Sequence, residues 1–422
     1  MIDRTLLITG VIEGFYGPPW SWSDRRAVAR HLGEHGMTHY VWAPKDEPRH
    51  RSRWAEPHDV ADLAGFEALV DDGHATLGYG ISPVDLEVAD PTQLGALWAK
   101  VVSAVERGAG LVVLCLDDMA VRDRLGEDHA GLVRWLHDRL DGRTALAVVP
   151  THYAGTAGSR YLDAFVAGVP AEIAIGWTGP AVVNDEITAA DAQSRAKLLG
   201  GRRPLLWDNS HANDGLLADR LLLGPLTGRD PELRRELSGY LVNGARQPRS
   251  FCLPLTSTAA WCRGGDPRQA WEREAGGLAV LARACDGGDL LALADQAAAG
   301  RSAPGELREF LVEAAQFVAP AEVSREVAPW ADQMRLEAAV GLAALDVLEG
   351  SGDPTQLLVA LMFRWPALPR AEVSVFGPRR SVSLHLTQDE SVRFQPSGEL
   401  FNEDANAVDR LVRAAVATVS GR

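Results

Sequence analysis

LVVLCLDD, residues 111–118, is the stretch on which the fold turns. Six apolar residues in a row, Leu111 to Leu116, suit a strand buried on both faces, as strands of a parallel sheet are. Two adjacent carboxylates, Asp117 and Asp118, close it. Both acids therefore belong at the rim of a core rather than in open water. Like charges this close raise each other's cost of ionising, so one proton is readily kept near neutral pH. That suits general acid–base chemistry. The residues alone equally allow an Asp cap on the next helix or a Mg²⁺ site.

The same unit recurs on both sides of this stretch. Short apolar runs ending in polar residues span Leu6 to Glu13, Thr38 to Lys45, Thr76 to Ser82, Leu111 to Asp117, Ala145 to Tyr153, Glu172 to Thr178, Pro204 to Asn209 and Tyr240 to Asn243. Helical patterns lie between them: Ser23 to Gly36, Asp90 to Gly108, Asp128 to Asp141, Ala157 to Ala167 and Asp185 to Leu199. Ser23 and Pro91 are start signals, Gly36 and Gly108 stops. Eight such units in about 250 residues predict an α/β fold of the (β/α)₈ TIM-barrel type, with its active site at the C-terminal ends of the strands. Those ends carry Glu13-Gly14, Lys45-Asp46, Ser82, Asp117-Asp118, His152-Tyr153, Trp177-Thr178, Trp207-Asp208-Asn209 and Asn243.

After about residue 275 the pattern becomes Ala- and Leu-rich. Gly277 to Ala292, Pro304 to Phe317, Pro320 to Leu348 and Pro354 to Trp365 predict a mainly helical C-terminal domain. The expected division is a barrel over 1–275, a helical bundle over 276–370 and a small mixed segment over 371–422. That segment holds two alternating runs, Glu372 to Phe376 and Ser381 to Leu386, and a last helix from Asn402 to Val419. The 422 residues carry a net charge of -15, which argues against nucleic acid or an anionic membrane as partner. Cys115, Cys252, Cys262 and Cys285 form no metal-ligand spacing and suit a reducing compartment. The apolar run Leu6 to Ile8 is too short for a signal-peptide core. A cytoplasmic location is the expectation.

Seven segments in barrel order carry a family resemblance: GVIEGFYGPPW (10–20), YVWAPKDEPRHRSRW (40–54), LCLDDMA (114–120), PTHYAGT (150–156), GWTGPAVV (176–183), LWDNSHANDG (206–215) and LVNG (241–244). Together they resemble the family 84 glycoside hydrolases, retaining β-N-acetylglucosaminidases known as O-GlcNAcases and hyaluronidase-type hexosaminidases. The resemblance covers the barrel and not the final hundred or so residues. It implies substrate-assisted catalysis, an exception to the usual nucleophile-and-acid pair. The sugar's own 2-acetamido oxygen attacks C1 and forms an oxazoline. By position in the motif, Asp117 orients the acetamido group and Asp118 is the general acid and base. Tyr153 matches the tyrosine that bonds the acetamido oxygen. Gly14, Lys45, Asn209, Asp214 and Asn243 match sugar contacts, Asp214 at the C4 and C6 hydroxyls, and Trp207 is expected to wall the acetamido pocket. Gly14 suits a place where a pyranose approaches the backbone.

The resemblance implies no cofactor and no metal, and a β-N-acetylglucosaminide on a glycoprotein or small glycoside as substrate. It leaves open a homodimer through the helical C-terminal region. A metal-dependent hydrolase is disfavoured because no histidine cluster accompanies the acid pair. A sugar-binding protein without catalysis is disfavoured because Asp117, Asp118, Tyr153 and Asn209 are all present. His50, His152 and His211 show no metal spacing and read as hydrogen-bonding support. Trp177, Trp20, Trp22 and Trp54 read as packing residues. The chain departs from the family pattern at Glu47, Cys115 and Gly244, which touches the choice of leaving group rather than the chemistry.

Overall fold

The computed structural model describes residues 6–300, 305–367, 373–377, 385–388, 394–397 and 406–420. Eight parallel strands close a barrel in chain order: β1 (Ile8–Ile12), β2 (His39–Trp42), β3 (Thr76–Ile81), β4 (Leu111–Cys115), β5 (Ala145–Val149), β6 (Ala174–Trp177), β7 (Leu205–Asp208) and β8 (Gly239–Asn243). β8 returns to β1, with Leu241 opposite Gly10 and Asn243 opposite Ile12. The outer layer holds α1 (Trp22–Glu34), α2 (Val60–Asp71), α3 (Pro91–Glu106), α4 (Leu125–Leu140), α5 (Arg160–Gly168), α6 (Ala189–Leu198) and α7 (Pro248–Cys262). The (β/α)₈ expectation holds, with strands a few residues shorter than the apolar runs. β5 stops at Val149 because Pro150 has no N–H to continue the ladder. α6 starts later than expected, where Thr188 and Asp191 form a capping box. Between β7 and β8 no full helix forms. Two short 3₁₀ segments, Gly215–Leu217 and Pro231–Glu236, stand in a stretch broken by Gly224, Pro225, Gly228 and Pro231.

Successive side chains on a strand point to opposite faces, so residue parity sorts the barrel into two cores. Ile12, Val41, Ala43, Val113, Cys115, Ala147, Val149, Leu205, Trp207 and Leu241 fill the inside. Val11, Tyr40, Trp42, Val112, Leu114, Leu116, Val148, Ile175, Trp177, Leu206 and Val242 pack outward under the helices. β4 is buried at every position because both faces are covered.

A separate apolar cluster is built from α8 (Pro267–Ala275), α9 (Ala279–Asp286), α10 (Gly288–Ala298), α11 (Gly305–Ala315), α12 (Ser324–Leu348), α13 (Pro354–Ala367) and α14 (Ala407–Val419), with Leu221, Leu223 and Leu253 joining from the barrel side. The run Gly277 to Ala292 is two helices, α9 and α10, not one. Gly287 between them has φ 70°, and a Cβ there would lie 2.0 Å from the Gly377 nitrogen. The run Glu372 to Phe376 is not a strand where it is described. Val375 and Phe376 instead plug the helical core from an irregular segment. β9 (His385–Gln388) and β10 (Phe394–Ser397) form a small antiparallel pair. Glu372, Ser381 to Leu384 and Asn402 to Ala405 lie outside the described residues.

Candidate active site

Continuing the inward parity past each strand end gives Gly14 after Ile12, Lys45 after Ala43, Asp117 after Cys115, Tyr153 beyond Val149, Asn209 after Trp207, and Asn243 after Leu241. These residues, with Trp207, Asp118 and Asp214, line one cavity of about 550 Å³ at the barrel mouth. All nine residues singled out in the sequence therefore meet. Thr178, Val182, Val183, Leu216 and Leu217 complete the wall. Acidic tips of outward parity are absorbed elsewhere. Glu13 accepts from Arg25, from Tyr40 and from the Trp20 backbone. Asp208 is gripped by Arg229 at 2.7 and 2.8 Å and also accepts from Tyr240.

Asp118 has outward parity but enters the cavity because its φ is 55°. Aspartate tolerates this left-handed conformation better than most residues, at some cost in strain, and such strain clusters at functional sites. The turn brings Asp118 Oδ1 within 3.0 Å of the Tyr153 hydroxyl and Oδ2 within 2.7 Å of the Tyr16 hydroxyl, both of which donate to it. Arg51 donates to the Tyr16 oxygen at 2.7 Å and stands 3.8 Å from Asp118. Lys45 donates to Asp117 Oδ2 and lies 3.9 Å from Asp118. Asp117 Oδ1 is buried and accepts no hydrogen bond from the described residues.

On the opposite wall Gly14 N–H donates to Asn243 Oδ1, Asn243 donates to Asn209 Oδ1, and Asn209 donates to the Val182 carbonyl, at 3.0, 3.0 and 2.7 Å. This chain fixes which way each amide points. Asp214 accepts from the Tyr16 backbone at 2.6 Å, tying the loop after β7 to the loop after β1. The structure gives Gly14 a reason of its own, beside the close approach of a sugar expected from the sequence. A Cβ there would lie 2.2 Å from Trp207 Cζ2, so the indole fills the space a side chain would need.

The electrostatics divide the acid pair. Burial pushes the Asp117 carboxyl above the usual carboxylate range against the pull of Lys45, with the Asp118 charge adding to the rise. Burial also acts to raise Asp118, but Lys45, the two tyrosine hydroxyls and Arg51 outweigh it and hold it below that range. Burial works against the Lys45 ammonium, yet the two carboxylates keep it protonated beyond the ordinary lysine value. Burial, then Asp118, raise Tyr153, which stays a donor. Burial raises Asp214.

Tyr16 and Arg51 were not singled out in the sequence, although both sit inside quoted motifs, EGFYG and HRSRW. Neither sits at a strand tip, so the reading of strand ends did not single them out. Trp177 is fully buried and donates to the Gly155 carbonyl, and Trp20 and Trp54 are buried too. His152 bonds Ser159 at the start of α5, and His211 bonds Ser210 and the Gly224 carbonyl. Both support loops.

The family model for beta-N-acetylglucosaminidase matches residues 9–285. The chain belongs to this family of glycoside hydrolases. It is 29% identical over 273 residues to the protein O-GlcNAcases of Rattus norvegicus and Mus musculus. That match covers 60% of this chain and 30% of each relative, so the chain spans under a third of their length. An aspartate-to-asparagine mutant of the O-GlcNAc hydrolase of Thermobaculum terrenum shares the fold with a TM-score of 0.82 at 21% identity, covering 99% of this chain and 95% of that one. A protein named CpGH84B does so at 0.78 and 19%, covering 97% and 77%. The likeness to the solved structures runs through the C-terminal helices as well as the barrel. No helix among the described residues is long and apolar enough to cross a membrane.

Proposed function

We propose that this chain is a retaining exo-β-N-acetylglucosaminidase that uses the substrate's acetamido group as nucleophile. One observation carries the reading: Asp117 has one oxygen bound by Lys45 and the other buried without a donor among the described residues, beside Asp118 and Tyr153. A carboxylate held this way is built to accept an N–H. The acetamido N–H of a bound N-acetylglucosamine supplies one, and the bond aims the carbonyl oxygen at C1. As that oxygen attacks, the bond from C1 to the leaving oxygen breaks, and Asp118 gives its proton to the departing alcohol. Water then attacks C1 of the oxazoline and passes a proton back to Asp118. Two displacements at C1 retain configuration.

The pKa directions in the structure run opposite to these roles, since Asp118 must carry the proton. Two of the donors that depress Asp118 are tyrosine hydroxyls. When the acetamido oxygen takes the Tyr153 hydroxyl, Asp118 loses one of them and its pKa rises. The contact between Asp117 and the N–H favours ionised Asp117. Sugar binding thus moves both groups toward their working states. Asn209, Asn243, Asp214 and Lys45 offer the ring hydroxyls fixed polar partners, and Trp207 packs against the acetamido methyl.

The rodent relatives' name, protein O-GlcNAcase, supports a glycoprotein as substrate; small glycosides and transfer to an acceptor alcohol use the same residues. All four cysteines are free, which suits the cytoplasmic location we propose. Leu358, Val359, Met362 and Phe363 form an exposed apolar stripe on α13, and we propose this as the contact of a homodimer. The test of function is hydrolysis of 4-methylumbelliferyl N-acetyl-β-D-glucosaminide with and without N-acetylglucosamine-thiazoline, an oxazoline mimic. Cleavage blocked by the mimic is expected. Equal cleavage of the 2-hydroxy glucoside would refute substrate assistance.

A further inference from the structure

The loop leaving β2 sends side chains in two directions. Lys45, Asp46 and Arg51 face the cavity or its rim: Lys45 reaches Asp117, Asp46 accepts from the Gly17 N–H at 2.7 Å, and Arg51 reaches Tyr16. Glu47 and His50, interleaved with them, turn away and meet His58. Glu47 Oε2 shares a hydrogen bond of 2.8 Å with His50 Nδ1, which an ion held between them would replace, and is 4.0 Å from His58 Nδ1. One ligand atom from each of the three residues lies within 4.8 Å of the others. The two imidazoles are almost wholly buried, with 3% and 4% side-chain exposure.

His58 Nδ1 is buried and has no hydrogen-bond partner among the described residues. Its other nitrogen is engaged with the Tyr79 hydroxyl at 2.9 Å. In the tautomer whose Nε2–H donates to Tyr79, the one a metal-bound Nδ1 requires, Nδ1 carries a lone pair and faces Glu47 Oε2, which is itself an acceptor. Two acceptors facing each other at 4.0 Å make no hydrogen bond. An ion would draw them together: bonds of about 2.0–2.1 Å at tetrahedral angles separate ligand atoms by about 3.3 Å, between the 2.8 Å and 4.0 Å at which Glu47 Oε2 stands from the two histidines. The Tyr79 bond is the kind of outer contact that fixes a ligating histidine.

We propose that Glu47, His50 and His58 bind a divalent transition-metal ion of the zinc class, which anchors the loop presenting Lys45 and Arg51. The ion takes no part in the sugar chemistry. Two histidines and a carboxylate suit zinc, cobalt or iron(II) rather than magnesium or calcium. Arg49, 3.7 Å from Glu47 Oε1 and 3.0 Å from Asp59, leaves Oε2 to the ion. Lys100, held by the Glu56 carbonyl, adds positive charge nearby, so the site is weaker than a closed structural zinc site.

The test is cobalt(II) titration of the chelator-stripped full chain, read by visible absorption and by metal-to-protein ratio. All proteins carry His35→Ala, because His31, His35 and Glu274 also gather donors. One equivalent of cobalt is expected, with binding abolished by Glu47→Gln or His58→Phe. Tyr79→Phe, which keeps the ring, should weaken it about 10–100-fold and carries the test if the ligand variants do not fold. Absence of cobalt binding, or an equivalent bound unchanged in Tyr79→Phe and in whichever ligand variant folds, would overturn the proposal. Neither readout depends on whether the cavity cleaves a sugar.

Discussion

Gly14→Ala tests the most tightly fitted contact of the site. The new Cβ would stand 2.2 Å from Trp207 Cζ2, while ordinary contact begins at 3.4 Å, a deficit of 1.2 Å. The backbone at Gly14 is tied to Asn243, and Trp207 is 6% exposed inside the barrel core. The indole must therefore yield by about the whole deficit. Overpacking of this kind costs about 1–3 kcal/mol of stability. A displacement near 1 Å beside the reacting atoms costs about 10²-fold in rate. The expected result is a folded protein with kcat/KM down about 100-fold, although neither carboxylate has been touched. Trp207→Phe removes the atoms that clash. In that background Gly14→Ala should cost much less, with a coupling of at least about 1 kcal/mol. The assay is kcat/KM on the methylumbelliferyl glycoside for the four proteins of the cycle, with thermal unfolding alongside. Equal losses in both backgrounds would show that Gly14 acts on the sugar directly and that the clash reasoning is wrong.

Asp118→Asn should lower kcat/KM by about 10²–10⁴ on alkyl glycosides and far less on activated phenyl glycosides, which need little protonation; a parallel loss on both would remove Asp118 as the acid. Tyr16→Phe deletes a hydrogen bond that holds Asp118 down, so the basic limb of the kcat/KM profile should move to higher pH, as a property of the coupled pair. An unmoved limb would mean that Tyr16 does not set the proton affinity of the pair. Burial lowers His211 from 6.5 to about 4, so the unfolded chain takes up a proton in that interval before the native one does. Stability from His211 is complete above about pH 6.5 and falls by about 3 kcal/mol as pH drops to 4, from a gap of about 2.5 units. His211→Gln should flatten the denaturation profile over this interval; an unchanged slope would refute it.

The strand tips and the family motifs made much of this site legible, and once the barrel closes period-two alternation explains why. Once Val113 and Cys115 face inward, Asp117 must follow, and the same counting delivers Gly14, Lys45, Asn209 and Asn243. It also explains why Glu13 and Asp208, equally acidic and also beside strand ends, serve buried ion pairs instead. The counting fails at Asp118, whose left-handed backbone reverses its direction, and at Tyr16 and Arg51, whose loops have no period. The cluster of Glu47, His50 and His58 was hidden for a related reason: spacings of three and eight residues match no regular element, and only the fold of the loop against Tyr79 joins them.

The amino-acid order by itself determined the eight-unit barrel and the polar tips that follow its apolar runs, because burial on two sides is a local property of the chain; which parity of each strand faces inward was decided by closure of the barrel. Tertiary structure decided which ends meet. Closure of β8 on β1 sets Asn243 against Gly14, although they stand 229 residues apart. It also gives one oxygen of Asp117 to Lys45 and leaves the other without a donor among the described residues. Such pairings arise from the register of distant strands, which no local pattern encodes.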